Sequence, residues 1–378
     1  MMGKILLIGS AGSVAHDMMY QIASMTDKIN VVGADYNEAK GRYEVDECLH
    51  VAHNFGLYPH FSFRKIDLFD VDGTAKILRE ERPTVVCSLA SLGAWWVTRL
   101  LPSEVYKQIS PIGPWIPFHF TLTHKLMQAV KKSGIDVKVV NGAYPDLTNV
   151  ILGKLNLPPV CGGGNMDLGA SRLRKIVAAE QKLPVRDVQV LAVGHHGTYY
   201  TAKMDGPSWY QIIAAGEDVS AIYPVKTIAK LYEKYGYANM PSFPGPLVDQ
   251  MKTASSFLKI TLAIYYDSEE LIQCLPGPNG LPGGYPCILG ASGAKVTLHS
   301  ITLKDAVKLN EDGAKIDGIE SVKPDGTVVF VEENVKMMRE VVGYDCPEIK
   351  PAEHEERAKE LDVKLKRLYD KHNVGKAY

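Results

Sequence analysis

The sequence predicts an α/β protein, with a doubly wound parallel sheet in the first half and an α+β domain in the second. Three observations carry this reading. From Lys4 to Asp146, short apolar runs rich in β-formers alternate with stretches of helical periodicity, as in a parallel sheet covered on both faces. A glycine-rich turn follows the first run at once, and beyond Asn149 the glycine-punctuated pattern changes. A chain of 378 residues also exceeds one small core and suits two domains, expected at residues 1–152 and 153–378.

Each element of the first half can be justified in order. "KILLI", residues 4–8, reads as a buried strand, and "GSAGSVA" as a tight turn opening a helix. In the G-x-x-G-x-x-A pattern Gly9 permits the tight turn and Gly12 the close approach of a diphosphate. Ala11, Ser13 and Val14 complete the cradle, and Ala15 keeps helix and strand close. An ordinary βα turn is the alternative. "INVVGADYN" is a second strand whose terminal Asp35 lies where a carboxylate would accept bonds from a ribose and repel a 2′-phosphate, which favours NAD over NADP. A solvated strand end is the other reading of Asp35. "FSFRKIDLFD" reads as the third strand, "VDGTAKILREER" as a helix, "PTVVCSLASL" as the fourth strand, "HKLMQAVKKSGI" as a helix closed by Gly134, and "DVKVVNGAYPD" as the fifth strand. Ligands of such Rossmann-type sheets sit outside the carboxyl ends of the strands, so Ser88, Ala90 and Asn141 are expected to face the cofactor.

Between the last two strands, a segment holding Trp95, Trp96, Arg99, Trp115 and His119 is either a lid or substrate wall or a packing surface against the second domain. In the second half, "GGGNMDLGASRLRKIVAAEQKLPV" reads as a turn and a helix carrying Arg172 and Arg174, and "VLAVGHHG" as a strand delivering His195 and His196 into a glycine-flanked loop. Imidazoles there titrate near neutrality and suit acid–base chemistry, although loop histidines are also common as solvated bystanders. "IDGIESVKPDGTVVFVEE" predicts a hairpin around Pro324, Asp325 and Gly326, and the charged C-terminal pattern an amphipathic helix at a solvated or interfacial flank.

Composition excludes several classes of function. With 42 Lys and Arg against 43 Asp and Glu, the net charge of −1 leaves no basic surplus for phosphate neutralisation, so no nucleic-acid partner is expected. No apolar run approaches the ~18 residues of a membrane span, and no membrane partner is expected. The six cysteines form no CxxC pair, which points to reduced thiols, no metal centre and a cytoplasmic location.

Several segments resemble, in chain order, the lactate/malate dehydrogenases. "GSAGSVA" resembles their dinucleotide turn, "DYNEAKGRYEVDECLHVAHNF" their acidic strand end and following helix, and "YPDLTNVILGKL" their N-P-V-D-x-L-T region. "VCGGGNMDLGASRLR" is similar to their I-G-x-G-x-x-L-D-S-A-R, "VGHHG" to their G-E-H-G, and "GGYPCILGASGAKVTLHSITL" to their late strand pair. The resemblance implies the fold of that family and NAD-dependent hydride transfer between nicotinamide and an alcohol or carbonyl. It makes His196 the proton-transferring residue, with His195 in place of a glutamate, and Asp167 or Asn165 the group that orients it. Arg172 takes the place of the carboxylate clamp and Thr253 falls where the pocket is lined, while the family's mobile loop with its polarising arginine has no clear counterpart: "GAWWVTRL" offers only Arg99, beside Trp95, as candidate substrate contacts. The sequence departs from the family in the spacing of Asp167 and Arg172, five apart rather than three, which points away from a small 2-keto acid. The resemblance also implies a small-molecule substrate and a homo-oligomer, dimer or tetramer, with Tyr232–Phe243 or the C-terminal helix as contact. Two alternatives stay open: an NAD-dependent enzyme of the family-four glycosidase type, with Cys161 near a metal, and a non-catalytic NAD-binding protein.

Overall fold

A computed structural model describes residues 3–201, 204–237 and 250–374. The first half alternates β1 (Lys4–Ile8), α1 (Ser13–Met25), β2 (Asn30–Asp35), α2 (Glu38–Asn54), β3 (His60–Lys65), α3 (Val71–Glu81) and β4 (Val85–Ser88). It continues through α4 (Ser103–Ile109), α5 (Ile116–Ser133), β5 (Lys138–Asn141), α6 (Pro145–Lys154) and β6 (Cys161–Gly162). The six strands form one parallel sheet in the order β3-β2-β1-β4-β5-β6, so the winding direction reverses between β1 and β4 and opens a crevice at their carboxyl ends. Strand side chains alternate between faces. Ile5 and Leu7 therefore enter the core beneath α1 and α2, while Leu6 and Ile8 enter the opposite one, with α3 and α5.

The second half holds α7 (Met166–Gln181), β7 (Val188–Gly194), α8 (His196–Tyr200), β8 (Ser208–Ala214), β9 (Glu217–Asp218), α9 (Val225–Lys234) and α10 (Gln250–Tyr265). After these come β10 (Glu270–Pro276), β11 (Gly284–Gly290), β12 (Gly293–Val296), α11 (Leu303–Ile316), β13 (Ile319–Val322), β14 (Val328–Phe330), α12 (Glu332–Met337), β15 (Glu348–Ile349) and α13 (His354–Lys371). An antiparallel sheet runs β10-β11-β7-β8-β9, with β12 on β11, and the hairpin expected around Pro324 forms β13 and β14 of a small third sheet. Among the described residues no helix is long and apolar enough to cross a membrane.

Two features link the halves. Cys161 and Gly162 pair with Val140 and Asn141 as a sixth strand of the parallel sheet. The segment from Ile319 onward packs on the first half. Ala358, Leu361, Leu365, Leu368 and Tyr369 lie on one stripe of α13 and share a core with Leu126 and Phe120 of α5. The Tyr369 hydroxyl donates to the Val97 carbonyl at 2.7 Å. That stripe is apolar enough to be buried, which is why α13 is part of the core rather than a solvated flank. Part of the expected oligomer contact, residues 238–243, lies outside the described residues.

Candidate active site

The crevice begins at Gly9, whose φ of +85° is a conformation that residues with a side chain rarely adopt. A Cβ there would stand 2.9 Å from the Ala90 nitrogen, so the turn and the end of β4 approach as closely as only glycine permits. Gly12 caps α1 with no side-chain bond, and its first turn holds no acidic residue. The N-terminal N–H groups around Ser13 and Val14, with the positive end of the helix, therefore remain available to an anion. Asp35 is buried at the end of β2; its carboxylate accepts from Ala11 N at 3.1 Å and Asn37 N at 2.9 Å. The hydroxyls of Ser10 and Ser88, at the ends of β1 and β4, are buried without a hydrogen-bond partner among the described residues. A bare helix end, a steric cradle, a strand-end carboxylate and two unsatisfied hydroxyls fit a dinucleotide. Asn141 ends β5 as expected, but its amide is already engaged by Thr123, Ala143, Thr148 and Asn149.

His196 reaches the same rim from the second half. At the end of β7, His195 caps α8 by accepting the Gly197 N–H on Nδ1 at 3.1 Å. The backbone N–H of His196 donates to Asp146 Oδ1 at 2.9 Å, and Asp146 stands five residues past the end of β5. This bond ties the histidine loop to the carboxyl end of the parallel sheet. The imidazole Nδ1 lies 2.8 Å from Asp317 Oδ2. The Tyr144 hydroxyl donates to that oxygen at 2.7 Å, and His195 Nδ1 lies 3.3 Å from it. Burial disfavours a charged His196, but the adjoining Asp317 carboxylate outweighs it and raises the pKa of the ring. Burial likewise opposes ionisation of Asp317, yet the charge of His196 and its hydrogen bond hold it well below the usual carboxylate range. Tyr144 is held in a left-handed conformation, φ 47° and ψ 62°, where a non-glycine residue is strained.

The other expected residues divide. Asp167 does not orient His196: it accepts from Lys259 Nζ at 2.7 and 2.9 Å and from the Ser256 hydroxyl at 2.5 Å. Asn165 does not reach His196 either, because its amide donates to Asp146. Arg172 turns away, its guanidinium 4.8 Å from the Tyr237 ring centre, because the two extra residues after Asp167 carry it around the helix. Trp95 is 39% exposed, and Arg99 lies 4.4 Å over its ring with Nε donating to the Tyr106 hydroxyl at 3.3 Å. The positive charge of Arg99 is felt at His196. Trp115, by contrast, is core, with its indole N–H on the Ile109 carbonyl at 3.0 Å. Thr253 lies beside Gly164 in the loop before α7. Cys161 is a buried strand residue whose thiol pKa is pushed far up by burial, which makes it a poor metal ligand.

Asp317 escaped the sequence reading because "DG" after an amphipathic helix reads as an ordinary helix end. Tyr144 had no local signal beyond its place before Pro145.

Solved structures with the same architecture include the lactate dehydrogenase of Eimeria maxima with NADH and oxamate, 17% identical over 83% of this chain and 92% of that one, with a TM-score of 0.58. The lactate dehydrogenase of Cryptosporidium parvum with lactic acid and nicotinamide adenine dinucleotide is 18% identical over 84% and 96%, at 0.56. The malate dehydrogenase of Plasmodium falciparum with NADH is 15% identical over 83% and 96%, at 0.54. The fold is that of the lactate and malate dehydrogenases. No family model matches the chain, and no curated protein matches it in sequence. Within this dehydrogenase fold, the pairing of His196 with a carboxylate from the end of α11 is a property read from this chain itself.

Proposed function

We propose that the chain is an NAD-dependent oxidoreductase acting on an alcohol or carbonyl, with His196 as general acid and base. The observation that carries this is the His196–Asp317 pair, tied through Asp146 to the rim where Gly9, the open end of α1 and Asp35 fit a dinucleotide. Gly9, Gly12, Ser13 and Val14 would hold its diphosphate and Asp35 its ribose, while the Asp35 carboxylate would repel a 2′-phosphate. When bound, the nicotinamide supplies a hydride acceptor or donor.

The protein groups handle the proton. Asp317 holds the imidazole by Nδ1, and proton exchange with the substrate oxygen would run through Nε2. In oxidation neutral His196 takes the hydroxyl proton; in reduction the imidazolium, stabilised by Asp317, gives a proton to the carbonyl oxygen. Such a transfer contributes ~10²- to 10⁴-fold. His196→Gln should lower turnover by that order while NADH binding, followed by nicotinamide fluorescence, stays within about twofold. Undiminished turnover in this variant would remove His196 from the chemistry.

A further inference from the structure

His119 stands in the first turn of α5, only 5% exposed, with its ring edge-on to Tyr144 at 6.3 Å between centres. His196 meets the same tyrosine at 5.4 Å. His195, engaged by the Gly197 N–H, is also edge-on to it at 6.2 Å, so three imidazoles adjoin one phenol. His196 and His119 differ in charge: Asp317 supports protonation of His196, whereas burial first, and the His196 charge second, push His119 down to about 4. Neither ring nitrogen of His119 has a hydrogen-bond partner among the described residues. A mostly buried imidazole with no protein partner at its ring nitrogens can bond a ligand oxygen placed beside it.

Three cations of the second half are already engaged. Arg172 lies over Tyr237, Arg174 donates to the Val185 and Val188 carbonyls, and Lys259 is paired with Asp167. Arg99 is held over Trp95 with its Nε on Tyr106, and its charge, felt at His196, disfavours the imidazolium rather than His119. A neutral imidazole offers one donor and one acceptor, which matches a hydroxyl, and it supplies no charge to balance a carboxylate.

Resting on the hydride-transfer reading, we propose that His119 binds a second, uncharged oxygen next to the reacting carbon, so that the substrate is a vicinal diol or hydroxy ketone rather than a 2-hydroxy acid. In the oxidative direction the reacting C–H bond breaks with transfer of hydride to NAD, His196 accepts the hydroxyl proton, and a carbonyl forms. The neighbouring hydroxyl, held by His119, is unchanged.

Three probes share one secondary carbinol and differ only in the neighbouring group: propane-1,2-diol, propan-2-ol and lactate. Their binding to the protein loaded with NADH, which cannot oxidise them, is measured by saturation-transfer NMR titration, and their kcat/KM with NAD by absorbance. The diol is expected to lead both others by about tenfold or more in each measurement. His119→Ala should bring the diol to within about threefold of propan-2-ol while leaving propan-2-ol and NADH binding unchanged, and His119→Gln, which keeps a donor and an acceptor, should recover part of the preference. Preference for lactate, an equal loss for all three probes in His119→Ala, or an undiminished diol preference there would overturn the proposal. Absence of turnover with every probe counts against the hydride-transfer reading instead, and the binding order still decides the role of His119.

Discussion

Asp317 Oδ2 receives the Tyr144 hydroxyl at 2.7 Å and faces His196 Nδ1 at 2.8 Å, so one oxygen sets the proton affinity of the ring. The carboxylate favours imidazolium, and removing its charge lowers the His196 pKa. The phenol withdraws part of that negative charge, and removing it has the opposite effect. Alcohol oxidation needs neutral His196, so its rate rises with pH along a limb above the ordinary histidine value of 6.5. Asp317→Asn should move this limb to lower pH and Tyr144→Phe to higher pH, both read from kcat/KM profiles and from the His196 ring resonance in the ligand-free protein. A purely structural role for Tyr144 would change melting temperature and leave both pH readouts in place. The stability linkage has a definite sign. A raised histidine pKa contributes stability that is complete below 6.5 and is lost as pH rises through the folded value. The lowered carboxylate pKa contributes stability above 3.8 that is lost as pH falls through its folded value.

At the level of elements, α1 is a 13-residue helix that begins at glycine with no cap and no acidic first turn. A carboxylate cap there would stabilise the helix over glycine by only about a few tenths of a kcal/mol, so its absence costs little and keeps the N-terminal N–H groups open. Gly12 has φ −87° and ψ 155°, which any residue adopts, and a Cβ there would approach only the Gly9 carbonyl, at 3.1 Å. Gly12→Asp should therefore leave melting temperature unchanged or raised while weakening NAD binding by more than about tenfold through repulsion of the diphosphate. Gly12→Asn caps the helix equally well without the charge, so its affinity should fall less; calorimetric titration of both variants separates charge from space. Features of this kind were legible in the sequence because they are local. The βα turn, the strand periodicities and Asp35 depend on neighbours a few residues away. The partner of His196 was not legible, because it lies 121 residues away and depends on the end of α11 being docked against α8. Asp167, by contrast, sits at the expected place in the sequence, but Lys259 and Ser256 of α10 hold it.

Over the whole molecule, the C-terminal segment closes the core of the first half, and α13 carries a buried cost with it. His354, 1% exposed, packs 4.3 Å from the Phe120 ring of α5 and near His124, with both ring nitrogens lacking a partner among the described residues. Periodicity alone marked α13 as amphipathic but did not say which surface would receive its stripe, since both core faces of the parallel sheet are apolar. Burial, with a smaller contribution from His124, pushes His354 down to about 3, so the folded protein keeps this ring neutral where the unfolded chain protonates it. The unfolded state then binds more protons between pH 3 and 6.5, and stability falls as pH drops through that window. At pH 5 this group alone costs about 2 kcal/mol relative to neutral pH. His354→Leu replaces two unpartnered nitrogens with apolar surface against Phe120, so stability at pH 7.5 should be equal or higher. The loss of stability on going to pH 5, measured by urea unfolding at both values, should shrink by about that amount. An unchanged pH dependence in the variant would show that the imidazole of His354 is not held neutral against α5.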